Sequence, residues 1–417
     1  MKILLSIRAF IVNFFGLLIG KIIMSGKYQV TLAATEQVMF GRPASECIKE
    51  LVKQYKFERV LILASKSLNE NTSEISNIEA ALGRHHAATI DGIQPHAPRA
   101  DVIKVTDAIR SVNADLVVTV GGGSVTDAGK IAALLVKHNV TDSSQMEALR
   151  ITMTETGEMV NPLDNMVDAG PDIAIICVPT TLSGGEFNPL SGATDEVSGH
   201  KQAYSHREMA PKAIILDPAI TVHTPEWLWI STGVRSIDHC VETLASHLSN
   251  DFADGLAANA LRMLSEGLKQ MKTDPQDLDA RLKCQMGAWQ SMVPIIGGVP
   301  MGASHAIGHI LGGACNVPHG YTSCVMSPYV LEWNRAHDES RQVRICEALG
   351  AGEKTASEAL DELIRMLGMP RTLTEVGVSE DKFDMVADLT LEDIWGRTNP
   401  RPIVDANSIK EILKMAM

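Results

Sequence analysis

The chain has 417 residues, 45% hydrophobic and 21% charged, with 37 basic against 50 acidic side chains. That length gives two or three domains with cores of their own, and ordinary glycine and proline contents exclude collagen-like and low-complexity architectures. A net charge of −13 with 4% aromatics lacks both the basic footprint and the stacking platforms of nucleic-acid binders, so no nucleic-acid partner is expected. A soluble acidic enzyme is the expectation.

Residues 1–23 form an apolar extension carrying Lys2, Arg8 and Lys21 and no acid. Its apolar run, Ala9 to Gly20, is shorter than the ~20 residues of a spanning helix, and no small-residue cleavage site follows. An upstream start, a membrane-associating helix and a targeting piece all remain open; any membrane contact is expected only through this segment. The seven cysteines are scattered, odd in number and without a C-x-x-C pair, which points to reduced thiols and a cytoplasmic location.

From 24 to 218 short apolar runs alternate with helical periods. Arg59–Ala64, Asp115–Val120, Ile173–Val178 and Ala213–Leu216 read as buried strands, and Ala44–Lys56 and Lys104–Ala114 as helices. Near-continuous apolar strands imply a doubly wound parallel sheet covered on both faces, an α/β class. From 219 to 417 the texture is helical, with apolar spacing over 226–248, 252–272, 276–298, 302–312 and 339–368. An α/β domain and an all-α domain leave a cleft between them for a ligand.

The first chemical signal is the strand–turn–helix around Gly121, Gly122, Gly123 and Ser124, continued by Asp127 and Lys130. Glycines let an anion approach the backbone while the new helix aims free N–H groups at it. A second polar turn, Thr180-Thr181-Leu182-Ser183-Gly184-Gly185-Glu186, follows the next strand on the same sheet edge, which points to a phosphate-bearing ligand. The second signal is histidine-rich: His305 and His309 share a helix face at i and i+4, His319 follows Pro318 in a loop that can double back, and His239 lies on another helix. His85 and His86 read as exposed surface.

The ordered set GGGS-x-x-D-x-x-K, PTT-x-S-G-x-E, H-x-x-x-H and P-H-G resembles the iron-containing alcohol dehydrogenase family. Within it the chain is most similar to the maleylacetate reductase branch, with support from His239-Cys-Val-Glu242 and Asn399-Pro-Arg-Pro402. The likeness covers roughly residues 27–417 and implies a nucleotide domain and a helical domain with NADPH or NADH between them. It implies that Gly121, Gly122, Gly123 and Ser124 hold the cofactor pyrophosphate, supported by Asp127 and Lys130. Thr180, Thr181 and Ser183 would contact phosphates, ribose or nicotinamide, and Lys201 matches a family lysine near the cofactor ribose. Ser65 falls where many members carry an aspartate that grips the ribose, and Ser65-Lys66 would tolerate a 2′-phosphate. Homodimers occur in the family.

Iron members carry an aspartate four residues before the first histidine of the metal site; here that position is Arg235. Any bound metal would rest on His239, His305 and His319. At about 4 Å and an effective dielectric of ~20, like unit charges repel by ~4 kcal/mol, and a dication doubles that. No metal is therefore expected. Arg235 is left to polarise a carbonyl or anchor an acidic substrate, or to form an ion pair with Asp238 or Glu242. His309 matches the family histidine beside the nicotinamide and is the candidate proton donor. Arg235, His239, His305, His309 and His319 make up the expected catalytic set.

The leading expectation is an NAD(P)H-dependent reductase of a keto acid or related carbonyl compound. A non-redox biosynthetic enzyme (dehydratase, isomerase or cyclase) and a nucleotide-binding pseudoenzyme are the alternatives. Substrate recognition is expected from loops around 186–206 and from the helical wall near 284–301.

Overall fold

The computed structural model describes residues 30–154 and 159–417; the extension at 1–23 lies outside the described residues. Six strands, β1 (Gln37–Phe40), β2 (Val60–Ala64), β3 (His86–Ile90), β4 (Leu116–Gly121), β7 (Ala174–Pro179) and β10 (Ala213–Leu216), form one sheet in the order β1-β10-β7-β4-β2-β3. Every pairing in it is parallel. The short ribbons β5 (Thr152–Met153) with β6 (Met159–Val160), and β8 (Leu190–Thr194) with β9 (Lys201–Ser205), stand apart from it.

Period-two alternation sends the apolar side chains to two cores. Leu61, Leu63 and Val117 face one, with α4 (Arg99–Val112) and α5 (Gly123–Lys137) packed over them. Val60, Ile62, Val118 and Val120 face the other, under α1 (Ala44–Tyr55), α2 (Lys66–Asn71) and α3 (Glu74–Leu82). Both faces are covered, as the continuous β-branched runs require. From β2 the chain steps to β3 on one side; from β4 it proceeds to β7 on the other. The sheet therefore reverses between β2 and β4, and the crevice outside their carboxyl ends is the default ligand position of an open α/β sheet.

After β10 the long elements are helices: α6 (Glu226–Ala245), α7 (Asp251–Thr273), α8 (Leu278–Ile296), α9 (Ala303–Cys315), α10 (His319–Leu349), α11 (Ala356–Met366), α12 (Phe383–Thr390) and α13 (Ala406–Met415). α6 is buried without interruption from Trp229 to Ala245. A helix buried all round is the centre of its domain, so the polar side chains of α6 are carried into the interior.

The structure corrects several expectations. His319 is not in a loop: it is the first residue of α10, directly after Pro318, whose fixed φ suits a helix entrance. The helical spacing over 339–368 is shared by two helices with a glycine as the break, α10 ending on the left-handed Gly350 and α11 starting at a Thr355–Glu358 capping box. The stretch 186–206 contains the β8–β9 hairpin rather than loop alone. His85 and His86 are half-buried; His86 Nε2 bonds Thr89 Oγ1 (2.8 Å) on the edge strand β3, which carries too few apolar residues to read as a strand.

Candidate active site

The glycine turn lies at the reversal point of the sheet. Gly121 ends β4, Gly122 caps α5 in an extended conformation, and α5 begins at Gly123. A Cβ on Gly121 would come within 3.3 Å of the Ser65 Cβ, which places Ser65, at the end of β2, across the crevice. A Cβ on Gly122 would stand 3.1 Å from Thr181 Cγ2, and one on Gly123 3.2 Å from Ser183 Oγ. The turn is thus a cradle with bare backbone on one wall and hydroxyls on the other, Thr181 Oγ1 and Ser183 Oγ being 3.3 Å apart. Ser124 Oγ accepts the backbone N–H of His96 (3.0 Å), fixing the neighbouring loop. Bare glycine backbone, a helix N-terminus and two hydroxyls fit a nucleotide pyrophosphate.

The remaining cofactor candidates divide. Asp127 and Lys201 form an ion pair (2.9 Å) that ties α5 to the β8–β9 hairpin. Thr180 is fixed through its backbone, N–H to Gly121 O (3.0 Å) and carbonyl from Thr224 Oγ1 (2.7 Å). Lys130 points away from the cradle: its fully buried ammonium donates to the carbonyls of Gly185 (3.0 Å), Asn188 (2.7 Å) and Leu190 (2.8 Å). It holds the segment after the second turn rather than lining the crevice.

Glu186, buried beside it, has its carboxyl pushed up to about 7 by desolvation, against its own backbone N–H and the Lys130 cation. A carboxyl raised on folding supports stability below its unfolded value and loses that support as pH climbs through the folded one. Glu186→Gln should therefore raise the thermal midpoint at pH 8 and change it little at pH 5. Scans at the two pH values check this.

The arginine and histidine cluster is built around α6. Arg235 is buried, and its Nη1 donates to Ser323 Oγ (3.0 Å) on α10, which in turn donates to Asp238 Oδ2 (2.7 Å). Arg235 therefore reaches Asp238 through a hydroxyl rather than in a direct ion pair. Space for the guanidinium comes from Gly308 on α9, where a Cβ would stand 3.2 Å from Nη1. Glu242, one turn beyond Asp238, accepts Gly302 N–H and Ser304 N–H (both 2.8 Å) and so caps α9 from another helix. The same carboxylate takes the Nδ1–H of His305 (2.8 Å), while Ser304 Oγ donates to Asp238 (2.7 Å). Burial pushes the Glu242 carboxyl up to about 7, against these donors and Arg235.

The four histidines converge. Rings of His239 and His305 are 5.0 Å apart, His305 and His309 6.5 Å, and His309 and His319 6.3 Å and stacked. His239 Nδ1 meets Ser291 Oγ at 3.3 Å; that hydroxyl already donates to Ala288 O, so the ring supplies the proton. With both Nδ1 atoms committed as donors, His239 and His305 keep Nε2 as an acceptor. Both are held well below the usual histidine range, first by burial and then by neighbouring positive charge, Arg235 included. At His319 the Arg235 cation is the leading cause of the same shift. His309, half-buried, donates Nδ1–H to Asp393 Oδ2 (2.8 Å), which leaves Nε2 for a ligand. Exposure falls along the cluster, from the exposed His319 and half-buried His309 to the buried Arg235, His239 and His305.

A divalent metal fits this donor set poorly. The guanidinium that lowers proton affinity at three imidazoles opposes a dication more strongly. A second group, Asp238, Glu242 and His305, brings ligand atoms within 4.8 Å of one another. Its Glu242 oxygens, Asp238 Oδ2 and His305 Nδ1 are already occupied by backbone, hydroxyl and each other. Asp238 Oδ1 and His305 Nε2 are its only unpartnered atoms, two donors short of a tetrahedral site.

Sequence reasoning missed Asp393, Ser291 and Ser323. Asp393 carries a visible signal, an Asp two residues before Trp395 whose other oxygen caps that backbone N–H (2.9 Å), but nothing links it to a histidine 84 positions away. The two serines have no sequence signal: each matters only through the helix it faces.

Comparison with known proteins agrees with this architecture. The iron-containing alcohol dehydrogenase family matches residues 35–218, and the C-terminal part of the Fe-containing alcohol dehydrogenase family matches 229–417. Dehydrogenase FUM7 of Gibberella moniliformis is 33% identical over 412 residues, 91% of this chain and 95% of that protein. The maleylacetate reductase of Burkholderia cepacia is 27% identical over 384 residues, 92% and 96% of the two chains. The crystal structure of maleylacetate reductase from a Rhizobium species superimposes with a TM-score of 0.77 at 25% identity, covering 94% of this chain and 98% of that one. With a glycine cradle at the sheet reversal, a histidine cluster on the facing helices and matches along both halves, this chain is an oxidoreductase belonging to the iron-containing alcohol dehydrogenase family.

Proposed function

We propose that the chain is an NAD(P)H-dependent reductase of a keto acid or related carbonyl compound, close in chemistry to maleylacetate reductase and independent of a metal ion. One observation supports this reading: at the position where iron members carry a ligand aspartate, the chain has a buried arginine, and its charge helps hold His239, His305 and His319 below the usual histidine range. The reduced nicotinamide, when bound along the cradle, supplies the hydride. Arg235 binds the substrate carbonyl or carboxylate with charge and directed N–H donors, needing no reorganisation because Ser323 and Gly308 already fix it. His239 and His305 offer acceptor nitrogens that orient a substrate hydroxyl or acid. His309 keeps its Nδ1–H on Asp393; in its doubly protonated form it delivers the Nε2 proton to the oxygen that gains charge and is left as the neutral Nδ1–H imidazole. Ser65 presents a hydroxyl, with its Oγ 3.0 Å from Ser67 Oγ, where an acid would repel a 2′-phosphate, so NADPH is accepted at least as readily as NADH.

The test has three readings on one preparation. Zinc and iron by mass spectrometry should be substoichiometric, and stoichiometric metal sinks the metal-free part. Nucleotide fluorescence should show binding of NADPH with an affinity no weaker than NADH. Addition of keto acids should bleach the nicotinamide band; nucleotide binding without bleaching by any of them would favour the non-redox alternative.

A further inference from the structure

Leu182 lies between Thr181 and Ser183 in the second turn, yet its side chain is not part of the sheet domain's core. It is fully buried among Trp229, Ile230, Val234, Ile237 and Leu268 of the helical domain. Its backbone is claimed from the same side. Leu182 N–H donates to Thr232 Oγ1 (3.1 Å), and Leu182 O accepts from Ser236 Oγ (2.5 Å). These hydroxyls are one turn apart on α6, and Gly233 between them leaves room for the leucine, since a Cβ there would come within 3.1 Å of Leu182 Cδ1. Arg235 adjoins Ser236 on the same turn. The cradle's hydroxyl wall is therefore fastened to the helix that bears the cationic site, by one apolar peg and two buried hydrogen bonds.

We propose that Thr232 and Ser236 are positioning residues for the cofactor: through Leu182 they hold Thr181 and Ser183 against the glycine turn and keep that wall in register with Arg235. The proposal rests on the nucleotide reading of the cradle given above. Neither hydroxyl is free for the cofactor, because Thr232 Oγ1 also donates to Leu228 O (2.8 Å) and Ser236 is completely buried. Their influence on binding has to pass through the loop. Without the clasp, residues 180–183 keep the bonds of Thr180 but lose the anchor between the two cofactor-facing hydroxyls, so binding must also order them.

The experiment is a fluorescence titration of NADPH on the full chain and on Thr232→Val/Ser236→Ala, alongside Ser265→Ala. Ser265 is a buried hydroxyl on α7 that bonds only its own helix, at Arg262 O. The double variant should raise the NADPH Kd by roughly 10-fold, the scale of two lost hydrogen bonds, and Ser236→Thr should bind as the wild type does. Ser265→Ala should shift the thermal midpoint without moving Kd, which separates positioning from general destabilisation. An unchanged Kd in the double variant, with wild-type binding intact, overturns the proposal alone. A wild-type chain that binds neither NADPH nor NADH overturns the nucleotide reading and the proposal with it.

Discussion

Arg235→Ala is expected to lower turnover by roughly 100- to 1,000-fold, the scale set by removing one preorganised donor from developing negative charge. The same change strips a cation from Asp238 and Glu242, both buried and both already raised by desolvation, so the thermal midpoint should fall as well. Two further variants separate chemistry from stability. Arg235→Lys keeps the charge and loses the planar fork, and should recover most of the midpoint while leaving kcat/KM for acidic substrates depressed. Gly308→Ala leaves every charge in place but sets a new Cβ 2.9 Å from Thr322 Oγ1 and 3.2 Å from Nη1, so it should cost both activity and some stability as α10 and the guanidinium give way. Steady-state kinetics and thermal scans on the three proteins check these outcomes. An alanine variant that keeps its turnover and loses only stability would reduce Arg235 to a structural ion.

His309→Ala should lower kcat by roughly 100- to 10,000-fold, the range for loss of a positioned general acid. Nucleotide affinity should change little, since the cradle is built from β4, α5 and the 180–183 turn. Asp393→Asn tests the geometry more finely. Asp393 uses one oxygen for His309 and the other for Trp395 N–H, and an amide has only one oxygen to serve both. Either the imidazole loses its acceptor or the 394–398 turn loses its cap, so kcat should drop less than in His309→Ala but clearly, with NADPH binding retained. Stopped-flow measurement of nicotinamide oxidation reads the step directly. Equal kcat in wild type and Asp393→Asn would show that Asp393 serves the turn and not the histidine.

Much of the α/β half was legible in the sequence, because its signals are local. Apolar β-branched runs such as Leu116–Val120 announce buried strands, and glycines follow where a strand must turn sharply into a helix. The edge strands β1 and β3 were not legible, since an edge strand needs no continuous apolar run. Lys130 shows the limit of motif reasoning even there. Its position in GGGS-x-x-D-x-x-K is plain, but whether its ammonium faces a phosphate or three carbonyls depends on where residues 185–190 pass, and the structure sends it to the carbonyls.

The charge balance makes the same division. The sequence determined by itself an acidic chain with an α/β half, a helical half, a glycine cradle and an arginine four residues before a histidine. Those are statements about residue type and short spacing, which fix periodicity and local turns. Tertiary structure alone decided that α6 lies at the centre of the helical half, so that Arg235, Asp238, His239 and Glu242 lose water together. It also decided that Glu242 caps α9, that Asp393 reaches His309 across 84 residues, and that Leu182 leaves its own domain to plug the other. Each of these depends on which helix faces which, and desolvation and long-range hydrogen bonds exist only once those faces meet.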